Sequence, residues 1–303
     1  MNVVFKVDDE TKNKLIKYYE DKKKDKVIPY VVFQANDNDT VVTLYESGKV
    51  MFQGTSADVD ASMWQEMMGI SAVKEKDEKE IKLYHNCNSI GSDEVGTGDY
   101  FGPIVVTASY VKKEDVDFLD KLGVGDSKKI DDEKIKKIAP EIAKRISYES
   151  IILTPKEYNE RHNNDVNMNK VKAIMHNMVL YKLRHSDKID KLDYIIVDEF
   201  AKENRYYGYI ENEPAIQKGI TFMTKAEDKN LAVACSSIIS RYLFLREWNK
   251  MSDELHITLP KGAGKEVDNI GKEVVEKYGK EKLNEIAKLS FKNTERILGT
   301  LIY

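Results

Sequence analysis

Cysteine is nearly absent from this chain. Cys87 and Cys235 are the only two in 303 residues, and they form no Cys-x-x-Cys pair. That argues against a disulfide framework or a thiolate zinc site and fits a reducing compartment. The five histidines show no ligand spacing either. No apolar run approaches the length of a membrane span, and the apolar part of Met1–Val7 is too short for a secretory signal. The expectation is a cytoplasmic protein, with no membrane contact and no obligatory protein partner. Positive charge is not in excess: the formal net charge is −4. Any contact with nucleic acid must therefore come from local patches. Lys22-Lys23-Lys24 with Lys26 is one candidate and Lys128-Lys129 another. A lysine run is, however, more commonly a solvated helix end.

Hydrophobic residues make up 41% of the chain, enough for real cores, and the length suits two domains. Residues 1–70 read as a small α/β unit. A strand over Met1–Val7 precedes a helix capped by Asp8 or Asp9. Three β-branched and aromatic strands follow, at Tyr30–Gln34, Thr40–Tyr45 and Val50–Gln53. A helix starting at Ser56 or Asp58 runs through Trp64. Tyr18, Tyr19 and Trp64 read as core packing. Residues 71–86 are charged and read as a semi-rigid linker. From 87 to 303 strands alternate with helices. Strands are expected at 89–94, 103–111, 147–153, 193–198 and 219–223. Helices are expected at 131–146, 167–186, 228–250, 266–278 and around 280–287. This alternation predicts an α/β fold, a mixed sheet flanked by helices, in which strand-end acids meet at one edge.

The stretch Gly91-Ser92-Asp93-Glu94-Val95-Gly96-Thr97-Gly98-Asp99-Tyr100-Phe101-Gly102-Pro103 carries the most chemistry. Adjacent acids repel, so a fold gains little from them unless a cation needs hard oxygen ligands there. Glycines just after them let backbone N–H groups approach a ligand. A second acid site is Asp198, at the end of the apolar stretch Leu192–Val197, with Glu199 a competitor beside it. A third is Glu227-Asp228, ahead of an apolar helix, where capping is the ordinary explanation. A lone strand-end Asp is usually a turn residue. Asp93-Glu94 beside three glycines is harder to explain structurally, and points to metal-assisted chemistry on a phosphate.

These residues resemble the type 2 ribonucleases H, and within them the ribonuclease HIII branch. The resemblance starts at Ser92–Pro103, where Gly96-Thr97-Gly98 stands in place of the Gly-Arg-Gly of the HII branch. It continues through Gly125-Asp126-Ser127-Lys128-Lys129, Tyr158-Asn159, Asn167-Met168-Asn169, Lys172-Ala173 and His176-Asn177. It returns at Asp198–Ala201, Thr224–Glu227, Ala234–Arg241 and Leu259–Gly264, spanning nearly all of 88–300. The N-terminal unit resembles one repeat of the TATA-box-binding protein fold, which that branch carries as a substrate-binding extension. It holds 13 lysines against 16 acids before residue 86, so binding there would use one sheet face, with Tyr30, Phe33 and Lys49 as candidates. Two departures stand out: Glu199 where the branch suggests Gln, and Ser290 where it suggests His.

The resemblance implies a ribonuclease H-like catalytic fold and four acidic metal ligands: Asp93, Glu94, Asp198 and Glu227. They would hold two Mg²⁺ or Mn²⁺ ions roughly 4 Å apart, with Asp93 bridging. The substrate would be an RNA/DNA hybrid, cut endonucleolytically in its RNA strand to 5′-phosphate and 3′-hydroxyl ends. Several consecutive ribonucleotides would be needed. Gly96, Thr97 and Gly98 would test the 2′-hydroxyl through their backbone, and Lys128 and Lys129 would hold phosphates. His176 stands between a structural and a functional role. The competing readings are an HII-type enzyme that cuts at single embedded ribonucleotides, a nonspecific metal-dependent nuclease, and a nucleic-acid-binding protein whose acids are structural.

Overall fold

The computed structural model describes residues 2–24, 28–37, 39–54, 57–67, 79–124, 130–162 and 167–299. The chain divides into two compact units, Met1–Lys79 and Glu80–Tyr303.

The first unit is an antiparallel sheet of four strands with two helices. Its elements are β1 (Asn2–Lys6), α1 (Asp9–Tyr18), β2 (Val31–Asp37), β3 (Thr40–Tyr45), β4 (Lys49–Gly54) and α2 (Ala57–Met67), and the strand order is β1-β4-β3-β2. Asp8 caps α1, its carboxylate accepting from the Thr11 N–H at 2.8 Å. Strand alternation sends Phe33, Ala35, Val42, Leu44, Val50 and Phe52 to one face, where they pack with Leu15, Tyr19 and Trp64. Phe33 is therefore core and is not available as a binding residue. Of the three aromatics expected in the core, Tyr19 and Trp64 are buried and bonded to each other, while Tyr18 lies half out. Lys22 is engaged by Asp37 at 2.9 Å, so the first lysine of that run serves this fold. Lys26 and Ser56 lie outside the described residues.

The second unit is a five-stranded mixed sheet with helices on both faces. Its strands are β5 (Ser89–Val95), β6 (Ile104–Val111), β7 (Ser147–Leu153), β8 (Tyr194–Asp198) and β9 (Ile220–Met223). Their order is β7-β6-β5-β8-β9. β5, β6 and β7 run antiparallel, and β5–β8 and β8–β9 are parallel. The helices are α3 (Val116–Leu122), α4 (Asp132–Arg145), α5 (Pro155–Arg161), α6 (Met168–Arg184), α7 (Glu203–Tyr209), α8 (Leu231–Leu255), α9 (Lys265–Tyr278), α10 (Lys282–Ile286) and α11 (Lys292–Leu298). The expected strands and long helices are present. The helices not anticipated, α3, α5, α7 and α11, are seven residues each, too short for periodicity to separate them from loops. Among the described residues no helix is long and apolar enough to cross a membrane.

Two apolar layers sandwich the central strands. On one face Ile90, Val106 and Ala108 pack against Val171, Met175 and Val179 of α6. On the other, α4 and α8 meet through Ile135, Ile142, Ala234 and Ile238. The first turns of α8 are buried all round, as its continuous apolar run requires. Residues 71–78 of the expected linker lie outside the described residues. Its later part is docked on the second unit: Glu80 pairs with Lys229 at 2.7 Å, and the Tyr84 carbonyl accepts from Asn230 at 2.8 Å.

Gly91 explains how α8 comes so close to β5. A Cβ there would lie 2.3 Å from the Val233 nitrogen and 2.6 Å from the Ala232 carbonyl carbon, both backbone atoms that cannot rotate away. Gly91→Ala should therefore push the helix off the strand and cost about 1–3 kcal/mol, as overpacking does. Urea denaturation checks this, and an unchanged midpoint would refute the close-packing account.

Candidate active site

β5 places its two acids on opposite faces, because successive strand side chains alternate. Asp93 turns toward α8. Its side chain is hydrogen-bonded by Ser237, its Oδ1 accepts from the Glu94 N–H at 2.9 Å, and its carbonyl accepts from Ser240 Oγ at 3.2 Å. Glu94 turns toward α6. Lys172 Nζ pairs with Oε1, and His176 Nε2–H donates to Oε2 at 2.9 Å. The other His176 nitrogen, Nδ1, is 2.7 Å from the Ser92 hydroxyl. Ser92 and Glu94 share a strand face, so one imidazole spans both.

β8 runs parallel beside β5 with Ser92 opposite Val197. One residue further along, Asp93 and Asp198 are side by side at the strand ends. Asp198 Oδ1 accepts from the Ala226 N–H at 2.9 Å. That bond ties the end of β8 to the single turn Ala226–Asp228, which leads into α8 and presents the buried Glu227. All four acids line one cleft of 360 Å³, together with Val95, Gly96, Thr97, Gly98, Ser237 and Arg241. Arg241 is held by Asp132 at 2.6 Å and by the Ile130 carbonyl at 2.7 Å.

The electrostatics of the two β5 acids diverge. Burial pushes the Asp93 carboxyl far above its ordinary 3.8, to about 8, and the charges of Glu94 and Glu227 add to that. For Glu94 burial acts upward too, but the hydrogen bond and charge of His176, then Lys172, outweigh it and hold the group low. Asp93 is thus met by a hydroxyl and a backbone N–H, whereas Glu94 is paired with an ammonium. The donor set, four carboxylates facing one cleft, fits a hard divalent ion. Among the described residues no group of three or more His, Cys, Asp or Glu side chains is gathered as a metal site.

The glycine loop divides by role. Gly96 has φ +94°, and a Cβ on it would strike the Pro103 carbonyl at 2.2 Å, so the fold itself requires glycine there. Gly98 is exposed, and a Cβ on it would meet nothing within 4 Å. Packing does not explain that glycine, whereas close approach of a ligand to its backbone would. Beyond it, the loop is fastened from the C-terminal side. The fully buried Lys288 donates to the Phe101 and Gly102 carbonyls, its own N–H donates to the Tyr100 carbonyl, and Asp99 accepts from the Gly262 N–H. Burial pushes the Lys288 ammonium down to about 7.

Of the residues expected at the site, Asp93, Glu94, Gly96, Thr97, Gly98, Asp198 and Glu227 share the cleft. Lys128 and Lys129 lie outside the described residues. Glu199 lines a neighbouring groove of 520 Å³ with Phe200, Lys202 and Arg205, and it pairs with Lys202 at 2.6 Å. It therefore faces away from the acid cleft and does not compete with Asp198. Ser290 bonds the Tyr158 hydroxyl at 2.7 Å. Sequence reasoning assigned no role to Lys172 or Arg241 and left His176 open. The signal for Lys172 was its i, i+4 spacing from His176, which puts both on one helix face.

A family profile described as Ribonuclease HII matches residues 90–294, and one described as a domain of unknown function (DUF3378) matches residues 2–78. Ribonuclease HIII of Lactococcus lactis is 38% identical over 98% of both chains. Ribonuclease HIII of Listeria monocytogenes is 39% identical over the same share. Among solved structures, Bst-RNase HIII in complex with Mn²⁺ is 35% identical with a TM-score of 0.71, covering 98% of each chain. The ribonuclease H2 of Pyrococcus horikoshii, 24% identical, shares the fold over 69% of this chain and 96% of its own, with a TM-score of 0.58.

The raised Asp93 carboxyl has a measurable consequence. Its folded pKa lies above the unfolded value, so the folded protein keeps a proton that the unfolded chain releases, and this group's contribution to stability declines as pH rises. In thermal melts with EDTA, wild type should lose stability relative to Asp93→Asn between about pH 5 and pH 8. If Asp93→Asn melts below wild type at the upper end, Asp93 is not the strained group.

Proposed function

The chain belongs to the ribonuclease HIII branch of the ribonuclease HII family, and on that premise we propose that Asp93, Glu94, Asp198 and Glu227 hold two divalent ions, Mg²⁺ or Mn²⁺, against the RNA strand of an RNA/DNA hybrid. The protein is a metal-dependent ribonuclease H. The observation that carries the four-acid assignment is their convergence on one cleft together with the glycine loop.

Bound divalent ions supply Lewis-acid stabilisation of the phosphate and a nucleophilic water at neutral pH. The protein's residues prepare that chemistry. Asp93, held in a central strand and bonded by Ser237, would be a ligand of the ions. Asp198 is oriented by the Ala226 N–H, and Glu227 closes the opposite wall. Hydrolysis breaks the P–O3′ bond and leaves 5′-phosphate and 3′-hydroxyl ends. The Gly98 backbone, open to the cleft, tests the 2′-hydroxyl, with Gly96 and Thr97 shaping the loop. Arg241 offers a fixed cation to a backbone phosphate. Lys128 and Lys129 serve the same end.

Hybrid duplex is recognised by shape and backbone, without base preference. The N-terminal unit, residues 1–70, contributes through the solvent face of its sheet, where Asn2, Lys6, Lys49 and Gln53 are exposed, with Tyr30 at its margin. Residues 87–303 carry the catalysis. The enzyme works in the cytoplasm, which suits two free, buried cysteines.

The test uses two labelled duplexes with Mg²⁺, a full RNA/DNA hybrid and a DNA duplex with one ribonucleotide. Wild type should cut the hybrid and leave the single-ribonucleotide duplex. Asp93→Asn, which keeps the shape but loses the charge, should lose at least about 10³-fold of the rate, the scale of removing a principal electrostatic group. Efficient cutting at the single ribonucleotide would favour the HII-type activity. A wild-type rate for Asp93→Asn would overturn the acid assignment.

A further inference from the structure

We propose that Lys172 is a built-in counterion of the acid cleft: its ammonium holds Glu94 in the metal-free protein and is displaced when a divalent cation enters. The inference rests on the reading of the four acids as metal ligands.

A lysine side chain only 11% exposed is costly to bury unless it is paired. Lys172 meets that cost with Glu94 Oε1, while His176 takes Oε2. Both oxygens of one acid are therefore already engaged by side chains of α6. This arrangement neutralises one negative charge in a cleft that also holds Asp93, Asp198 and Glu227. A folded, metal-free cleft benefits from that neutralisation. A metal ion must then compete with the ammonium for Glu94, and its apparent affinity is reduced by the fraction of protein in the lysine-held state.

The same structure provides for the displaced cation. Lys172 Nζ lies 4.1 Å from the centroid of the Phe200 ring, within cation–π range. That ring also stacks on His176, with centroids 5.3 Å apart and planes at 29°. Phe200 follows Asp198 by two residues, so the segment delivering one acid also covers both partners of another. An ammonium that leaves Oε1 can remain over the ring. His176, tied to Ser92, keeps Glu94 in place. Lys172 and His176 are thus positioning residues with opposite effects: the histidine supports the ligand and the lysine contests it.

The experiment measures Mn²⁺ binding by calorimetry on the full chain for wild type, Lys172→Met, Lys172→Arg and Asp93→Asn, with melting temperatures in EDTA. Lys172→Met keeps the apolar stem and removes the charge. It should bind Mn²⁺ at least about fivefold tighter, the lower end of ordinary coupling between competing ligands. Its metal-free melting temperature should fall. Lys172→Arg, which keeps a cation, should stay near wild type in affinity. A lysine with a merely structural role predicts the reverse, weaker Mn²⁺ binding in Lys172→Met. If Lys172→Met does not fold, Lys172→Gln takes its place. Equal or weaker binding by the folded variant overturns the proposal while Asp93→Asn still abolishes binding. If Asp93→Asn binds Mn²⁺ as wild type does, the ligand reading fails and the proposal falls with it.

Discussion

Asp93 and Glu94 are neighbours on β5, and their charges repel where both are half-buried at the wall of one cleft. Asp198 and Glu227 add to the same field. Alternation along the strand separates the first two onto opposite faces, so each is served by a different helix. α8 supplies Ser237 and Ser240 hydroxyls on one side, and α6 supplies a lysine and a histidine on the other. The asymmetry is chemical. Hydroxyls orient Asp93 without neutralising it, and its carboxyl stays high. An ammonium neutralises Glu94, which stays low. A central strand clasped between two long helices is what makes this division rigid.

That rigidity has its own requirement at Gly91, where α8 lies against the β5 backbone. Without the close approach, Ser236 could not reach the Gly91 carbonyl at 2.8 Å, nor Ser240 the Asp93 carbonyl. The loop after β5 is anchored from far along the chain by Lys288, which lies 0% exposed and donates to two consecutive carbonyls. The backbone of the glycine loop is thus held from behind while Gly98 remains open in front.

Much of this was legible in the sequence. The β-branched runs at 103–111 and 193–198 read as strands, and Asp93-Glu94 beside three glycines was harder to explain structurally than a lone acid. Asp198 at a strand terminus fell where parallel strands deliver ligands. Other features were not legible. Phe33 looked like a surface aromatic until strand register turned it inward. Glu199, adjacent to Asp198, looked like its rival until the chain turned it toward Lys202. Arg241 sat on an apolar helix with no mark of the cleft that it lines.

The sequence by itself indicated the main strands and long helices, a small unit ahead of a larger one, and the acids worth testing, because these depend on local periodicity, turn chemistry and residue type. The tertiary structure alone decided which acids share a cleft and what stands opposite each. Glu94 and His176 are 82 residues apart, and Asp198 and the Ala226 N–H that orients it are 28 apart. Such pairings arise from strand register and helix docking, which no local pattern encodes. The charge state of each carboxylate follows from those long-range neighbours and from burial, so two adjacent acids with the same chemistry emerge with opposite shifts.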